Sequence, residues 1–177
     1  MASLQKPLVL IGLMGAGKST IGRRLADTLG VTFKDSDVEI EEAAGCSVSD
    51  IFALYSEEIF RDLEQRVIKR LLKEKNLILA TGGGSFMQPA IRDEINKKAT
   101  TVWLRAELPV LLDRVSKRDT RPLLAKGNKK KILGKLIKER YPVYAEADIV
   151  IDSSEGPHEK VVQQIMKVLK GRDDIFA

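Results

Sequence analysis

The chain has 177 residues, a formal net charge of +5 and 44% hydrophobic residues, which fits one globular domain with a sizeable core. No apolar run approaches the roughly 20 residues that span a bilayer, and the first residues lack the apolar core of a signal peptide, so we expect a cytoplasmic protein. Cys46 is the single cysteine and there is a single histidine. These counts exclude an internal disulfide and metal sites built from Cys and His.

Strand-like and helix-like patterns alternate along the chain. We predict strands at 8–11, 31–34, 77–80, 100–104 and 148–151, and helices at 19–29, 38–44, 48–54, 57–75, 89–97, 108–116, 131–144 and 157–170. This alternation predicts an α/β fold in which helices cover both faces of a parallel sheet. Ligands of such sheets bind beyond the carboxyl ends of the strands. The residues that follow each strand are therefore the first candidates for a functional site.

The first predicted strand leads into a glycine-rich loop. Residues 12–19 read GLMGAGKS, which fits the phosphate-binding pattern G-x-x-x-x-G-K-[ST]. Glycines let backbone N–H groups converge on phosphate oxygens, and the following helix offers the positive end of its dipole. Lys18 would reach the β- and γ-phosphates, and the Ser19 hydroxyl would bind Mg²⁺. The motif predicts a nucleoside triphosphate site; Thr20 stands where a dinucleotide fingerprint needs glycine, which disfavours that alternative.

Two aspartates, Asp35 and Asp37, follow the second predicted strand. Alternate residues of an extended segment point the same way, so one carboxylate can hold a metal-bound water while the other accepts a proton from a substrate hydroxyl. Asp37 can equally cap a helix that begins at Val38, and the spacing alone leaves both interpretations open. The third strand is followed by the run GGG at 82–84, which allows close backbone approach to a ligand. No acid stands there, so Asp35 is the favoured metal-side carboxylate.

Positive charge is concentrated in one segment. Residues 116–140 contain ten Lys or Arg against two acids, a net +8, so the rest of the chain carries −3. Such a cluster can mark a nucleic-acid surface. However, the segment itself contains no aromatic residue, and Tyr141 lies just past its end, so a base-stacking platform is missing and we expect no nucleic-acid partner. The low apolar content and Gly127 favour a mobile lid at about 116–130 that covers a polyphosphate.

Three arginines stand out among the cations. A guanidinium can hold a carboxylate or a phosphate through two parallel hydrogen bonds. Taken singly, however, each of these arginines is better explained as a solvated surface cation. They are Arg61, Arg121 and Arg140.

Five segments, in order and at matching spacing across nearly the whole chain, resemble the shikimate kinases of the aromatic amino-acid pathway. They read GLMGAGKST at 12–20, DSD at 35–37, FRDLE at 60–64, TGGG at 81–84 and RPLL at 121–124. The resemblance implies a P-loop nucleoside-monophosphate-kinase-like fold. This is one domain over 1–177, with five parallel strands in the order 2-3-1-4-5. It also implies ATP-dependent phosphorylation of the 3-hydroxyl of shikimate, which gives shikimate 3-phosphate and ADP.

The resemblance also implies a role for each matching residue. Asp37, Lys18 and Arg121 would be catalytic, with Asp37 as the base. ATP would be bound by Gly15, Ala16, Gly17, Lys18, Ser19, Thr20, Arg114 and Arg121, with Arg114 lying against adenine. Mg²⁺ would be bound by Ser19 and, through water, by Asp35. Shikimate would be bound within a segment at about 35–62 and beyond it, by Asp37, Arg61, Gly82, Gly83, Gly84 and Arg140.

One segment departs from the family pattern. Many shikimate kinases carry a longer stretch similar to DTNRRNP that contacts adenine, whereas residues 152–157 here read DSSEGP. The resemblance therefore carries no adenine contact over to this segment.

Two other functions compete with this interpretation. A gluconate-type carbohydrate kinase shares the phosphate loop and the chain length, and a non-catalytic nucleotide-binding switch would need the loop alone. The Asp35–Asp37 and 82–84 segments favour shikimate over gluconate, and Asp37 together with the arginines argues against a switch. We expect ATP and shikimate as the only partners, no membrane and a monomer.

Overall fold

The computed structural model describes residues 3–117, 127–154 and 156–177. It contains one five-stranded sheet in the order β2-β3-β1-β4-β5, with every pair parallel. This is the predicted fold class and strand order. The strands are β1 Leu8–Ile11, β2 Thr32–Asp35, β3 Leu77–Ala80, β4 Thr100–Arg105 and β5 Ile149–Asp152.

Helices connect the strands and flank the sheet. Their bounds are α1 Lys18–Leu29, α2 Ser36–Ala44, α3 Val48–Leu54, α4 Glu57–Leu71, α5 Pro89–Lys98, α6 Leu108–Ser116, α7 Lys129–Tyr144 and α8 His158–Lys170, with a 3₁₀ turn at Ser85–Met87. Each of the predicted strands and helices is present. Among the described residues, we find no helix whose length and apolar character would suit a membrane span.

The central strands explain why the sheet forms the core. Every residue of β1 and β3 is buried, and both are unbroken apolar runs, which is typical of parallel strands covered on both faces. β5 lies at one edge, and its residues alternate between buried and exposed. The register pairs Leu8 of β1 with Ile78 on one side and Thr100 on the other. The carboxyl ends of these strands therefore meet at one rim.

Two helix ends differ from the predictions for different reasons. α4 ends at Leu71 rather than at residue 75, because the chain turns before β3 and Asn76 adopts a left-handed φ of 53°. α7 begins two residues earlier than predicted, because the Asn128 side chain accepts from the N–H groups of Lys130 and Lys131.

The start of α2 corrects one of the two interpretations of Asp37. The helix begins at Ser36, and its cap is Asp35, whose Oδ1 accepts from the Asp37 N–H at 3.0 Å. Asp37 lies inside the first turn, so it does not cap a helix that begins at Val38.

Two helical glycines give opposite stability predictions. A Cβ on Gly22 in α1 would lie 2.4 Å from Cε2 of Phe33, whereas a Cβ on Gly134 in α7 meets nothing within 4 Å. Gly22→Ala should destabilise the fold by about 1–2 kcal/mol through overpacking. Gly134→Ala should stabilise it by about 0.5–1 kcal/mol, because alanine is the better helix former. Urea unfolding of both variants measures this; shifts of the same sign would contradict the packing argument.

Candidate active site

A cavity of about 250 Å³ opens at the carboxyl ends of β1, β2 and β3. Thr81, Val115, Lys117 and His158 form part of its wall. The rest of the wall consists of sequence-predicted site residues, namely Gly15, Gly17, Lys18, Ser19, Asp35, Asp37, Gly82, Gly83 and Arg114. The segments that follow β1, β2 and β3, which the sequence predicted to meet, therefore line one cavity.

The phosphate loop after β1 is held in a conformation that requires glycine. Gly12 has a φ of 148°, and a Cβ there would lie 2.7 Å from the carbonyl oxygen of Leu104. Lys18 is only 8% exposed, and its Nζ donates to the carbonyl oxygens of Gly12 at 2.7 Å and of Leu13 at 2.9 Å. The first turn of α1 contains no acidic residue, so both the ammonium group and the helix dipole favour an anion here.

Ser19 and Asp35 meet beside this loop. The Ser19 hydroxyl donates to Oδ2 of Asp35 at 2.6 Å, so two hard oxygen ligands lie at one place. Mg²⁺ prefers such ligands, keeps several waters and takes further oxygens from phosphates. No group of three or more His, Cys, Asp or Glu in the described ranges could hold a metal by itself. The residues present thus fit Mg²⁺ carried in with a nucleotide.

Each of the three glycines after β3 approaches a different predicted functional side chain. A Cβ on Gly82 would lie 3.1 Å from Oδ1 of Asp37, one on Gly83 3.0 Å from Nη1 of Arg140, and one on Gly84 2.7 Å from Nη2 of Arg61. Side chains at these positions would displace the carboxylate and both guanidinium groups. The loop therefore gathers one acid and two cations around bare backbone.

Arg61 is fixed by an acid that the sequence reasoning missed. Its Nη1 lies 2.7 Å from Oε2 of Glu64, which is only 1% exposed and also accepts from the Ser85 hydroxyl. A buried carboxylate needs partners of this kind. The signal was available: Glu64 stands in the apolar stripe of α4, between Phe60 and Val67, where an unpaired acid would be costly.

The opposite end of the cavity is formed by α6 and α8. Arg114 donates from Nη1 to the Gly15 carbonyl at 3.1 Å and from Nη2 to the Ser153 carbonyl at 2.7 Å. The pKa of Arg114 is lowered, because burial disfavours its charged form more than the nearby Asp113 favours it. The imidazole of His158 packs against the loop, with Cε1 3.2 Å from the position of a Cβ on Gly17. Sequence reasoning did not place His158 here, because Gly17, which it packs against, lies far away in the chain.

The remaining predicted residues lie around the cavity or outside the described chain. Ala16 is buried and its carbonyl accepts from the Ser153 hydroxyl at 3.0 Å. Thr20 lies in the first turn of α1, and neither residue is part of the cavity wall. Residues 118–126, which include Arg121 and most of the predicted lid, are outside the described ranges.

Comparison with known proteins decides the family. A family model for shikimate kinase matches residues 14–170. The chain belongs to the shikimate kinase family. A shikimate kinase from Paramagnetospirillum magneticum is 51% identical over 164 residues, which is 93% of this chain and 84% of that protein. One from Rhodopseudomonas palustris is 52% identical, with 93% and 81% covered. Family membership makes the chain a phosphotransferase that uses ATP to phosphorylate shikimate.

Solved structures agree with this assignment. The shikimate kinase from Acinetobacter baumannii in complex with shikimate superposes with a TM-score of 0.91 at 36% identity, covering 95% of this chain and 94% of that one. A gluconokinase from Sinorhizobium meliloti reaches a TM-score of 0.57 at 16% identity, so it shares the fold alone. The shikimate interpretation is thereby favoured over the gluconate one.

Proposed function

We propose that this cavity transfers the γ-phosphoryl group of ATP to the 3-hydroxyl of shikimate, with Asp37 as the base. One observation carries the proposal. The glycine run after β3 brings Asp37, Arg140 and Arg61 to consecutive backbone positions. Of this group, Asp37, Gly82 and Gly83 line the same cavity as the phosphate loop. A polyphosphate site and a site for a carboxylate-bearing alcohol therefore share one space.

The phosphate loop supports the ATP half of the proposal. Lys18 and the start of α1 lie where the phosphates would bind, and the backbone of the glycine loop would supply N–H donors to them. Ser19 and Asp35 would hold Mg²⁺, which neutralises charge on the phosphates when bound. Arg114, fixed between two carbonyl oxygens, would present its guanidinium to adenine. Arg121 would contact the phosphates from the lid.

Asp37 supports the transfer step. Its carboxylate lies beside Gly82, where it would accept the proton of the shikimate 3-hydroxyl. The oxygen of that hydroxyl forms the new bond to the γ-phosphorus, and the bond from that phosphorus to the β–γ bridging oxygen breaks. ADP then leaves with the bridging oxygen. Positioning and electrostatic stabilisation account for most of the catalysis in such a transfer.

Arg61 and Arg140 support recognition of the shikimate carboxylate. They approach Gly84 and Gly83 from α4 and α7 respectively, so two cations converge on one side of Asp37. Glu64 holds Arg61 in place and is itself buried. A planar carboxylate is the group that such guanidinium pairs bind well.

Turnover with alternative acceptors tests this proposal. ADP formation should require shikimate, and ³¹P NMR should show one new phosphomonoester that is shikimate 3-phosphate. Gluconate in place of shikimate should give only the background rate. Equal turnover with gluconate, or ATP hydrolysis at a rate that does not depend on either acceptor, would overturn the proposal.

We also propose that the protein is a cytoplasmic monomer. Light scattering after size-exclusion chromatography tests the oligomeric state.

Arg61→Lys should raise KM for shikimate by roughly 10–100-fold and leave KM for ATP nearly unchanged, because lysine keeps the charge but loses the planar fork. Steady-state kinetics with each substrate varied measures this. Arg66→Lys is the matched control: it lies on the same helix, is 75% exposed and pairs with Asp62. A similar loss for both substrates in Arg61→Lys, or for both variants, would show that Arg61 acts on the fold instead.

A further inference from the structure

The last turn of α7 carries a buried phenol that contacts the glycine loop of the substrate site. Tyr144 is fully buried, and its hydroxyl donates to the carbonyl oxygen of Gly83. Arg140 lies one helical turn earlier, with Nη1 3.0 Å from the position of a Cβ on Gly83. The phenol, the guanidinium and the loop backbone therefore form one contact group.

The direction of the hydrogen bonds in this group is fixed by chemistry. A guanidinium can only donate and a backbone carbonyl can only accept, whereas a phenol does both. The single O–H of Tyr144 is used by Gly83. The Arg140 charge neighbours the phenol and lowers its pKa, so any hydrogen bond between the two groups would be donated by the guanidinium to the phenol oxygen.

The phenol keeps its proton over the whole physiological range. Burial raises the pKa of Tyr144 to about 12, and the neighbouring Arg140 guanidinium offsets part of that rise. The donor to Gly83 is therefore always present at neutral pH.

We propose that Tyr144 is a positioning residue for the substrate carboxylate: its hydroxyl orients the Arg140 guanidinium and holds the glycine loop against it. The inference rests on the proposed role of Arg140 in binding shikimate. Arginine has many rotamers, and ordering it in advance reduces the entropy lost on binding. Phenylalanine at 144 would keep the packing, but it would leave the Gly83 carbonyl without its donor and would remove the phenol oxygen that neighbours Arg140.

Tyr141 on the same helix provides a matched control. Its hydroxyl donates to the carbonyl oxygen of Ala106, and its ring packs edge-on against Trp103 at 4.9 Å. The helix, the residue type and the kind of hydrogen bond are the same. The partner differs, because Ala106 follows β4 and is not part of the glycine loop, and Tyr141 is less deeply buried than Tyr144.

Tyr144→Phe should raise both KM and Kd for shikimate about tenfold, with kcat and KM for ATP within about twofold of wild type. A contact remote from the reacting oxygen is made equally before and during transfer, so it affects KM rather than kcat. Tyr141→Phe should leave all four values near wild type. Unchanged shikimate binding in a folded Tyr144→Phe, or equal losses in both variants, would overturn the inference.

A double-variant cycle tests whether the effect passes through Arg140. Adding Tyr144→Phe to Arg140→Ala should lower kcat/KM for shikimate no further than Arg140→Ala alone, because the residue to be oriented is gone. Additive losses would contradict the positioning role. Wild-type turnover of shikimate is measured in the same series, so failure of the proposed function is seen separately from failure of this inference.

The wild-type protein provides a readout that does not depend on any variant folding. The chain has three tyrosines, so a ¹³Cζ-tyrosine NMR spectrum would be simple, and Tyr141→Phe would assist the assignment. Saturating shikimate should shift the Tyr144 signal and leave the Tyr141 signal in place. A Tyr144 signal that ignores shikimate would overturn the inference even if Tyr144→Phe did not fold.

Discussion

Lys18→Met should lower kcat for phosphoryl transfer from ATP to shikimate by roughly 10³-fold or more while the fold is kept. The ammonium group is nearly buried, and two loop carbonyls, those of Gly12 and Leu13, fix its position. A fixed charge at that place stabilises the negative charge on the transferring group without reorganisation. Methionine keeps most of the length and apolar stem of lysine but brings no charge. ADP release under saturating substrates measures the loss.

Lys98→Met is the control for this variant. Lys98 ends α5, is 43% exposed and pairs with Glu94, so its loss should leave turnover near wild type. Circular dichroism and thermal melting of Lys18→Met check that the loop change has not unfolded the protein. Near-wild-type turnover in a folded Lys18→Met would refute the assignment of the phosphate loop.

Asp37→Asn should lower kcat by roughly 10²–10⁴-fold, the usual cost of removing a general base, with ATP affinity close to normal. The amide keeps the size of the carboxylate but cannot accept the hydroxyl proton. Because Asp35 rather than Asp37 caps α2, the substitution should not disturb the start of the helix. Steady-state turnover and equilibrium ATP binding measure the two effects separately.

Asp50→Asn is the matched control for the base. Asp50 also lies in the first turn of a helix, α3, and it is exposed and hydrogen-bonded to Ser47. It shares the favourable position near the helix dipole but not the cavity. If Asp37→Asn lost ATP binding and kept shikimate turnover, Asp37 would serve the nucleotide.

Short-range patterns account for the parts of the fold that the sequence predicted well. The apolar runs of β1 and β3, the loop pattern and Gly30, which ends α1 with a φ of 68°, are all local signals. Whether Asp37 caps a helix was not resolved from sequence, because an aspartate just before Val38 suits a helix start. The backbone path of residues 35–37, which makes Asp35 the cap, decides the question.

Contacts between distant segments account for what the sequence missed. Tyr144 and Gly83 are 61 positions apart, and no local pattern links a phenol on one helix to a carbonyl in another loop. His158 reaches Gly17 in the same way. Glu64 is different, because an acid inside an apolar stripe can be recognised from the sequence. Such an acid predicts that a buried partner exists, although the sequence does not say which residue it is.

The side chain of Asp35 connects the proposed nucleotide site to the proposed acceptor site. Its Oδ2 accepts from the Ser19 hydroxyl, and its Oδ1 accepts from the backbone N–H of Asp37. One planar group thus sets the distance between the Ser19 hydroxyl, a proposed Mg²⁺ ligand, and the segment that carries the proposed base. We expect a displacement of α1 to be transmitted to Asp37 through this carboxylate. Nucleotide binding at α1 and alignment of the acceptor alcohol by Asp37 would then be coupled through the side chain of Asp35.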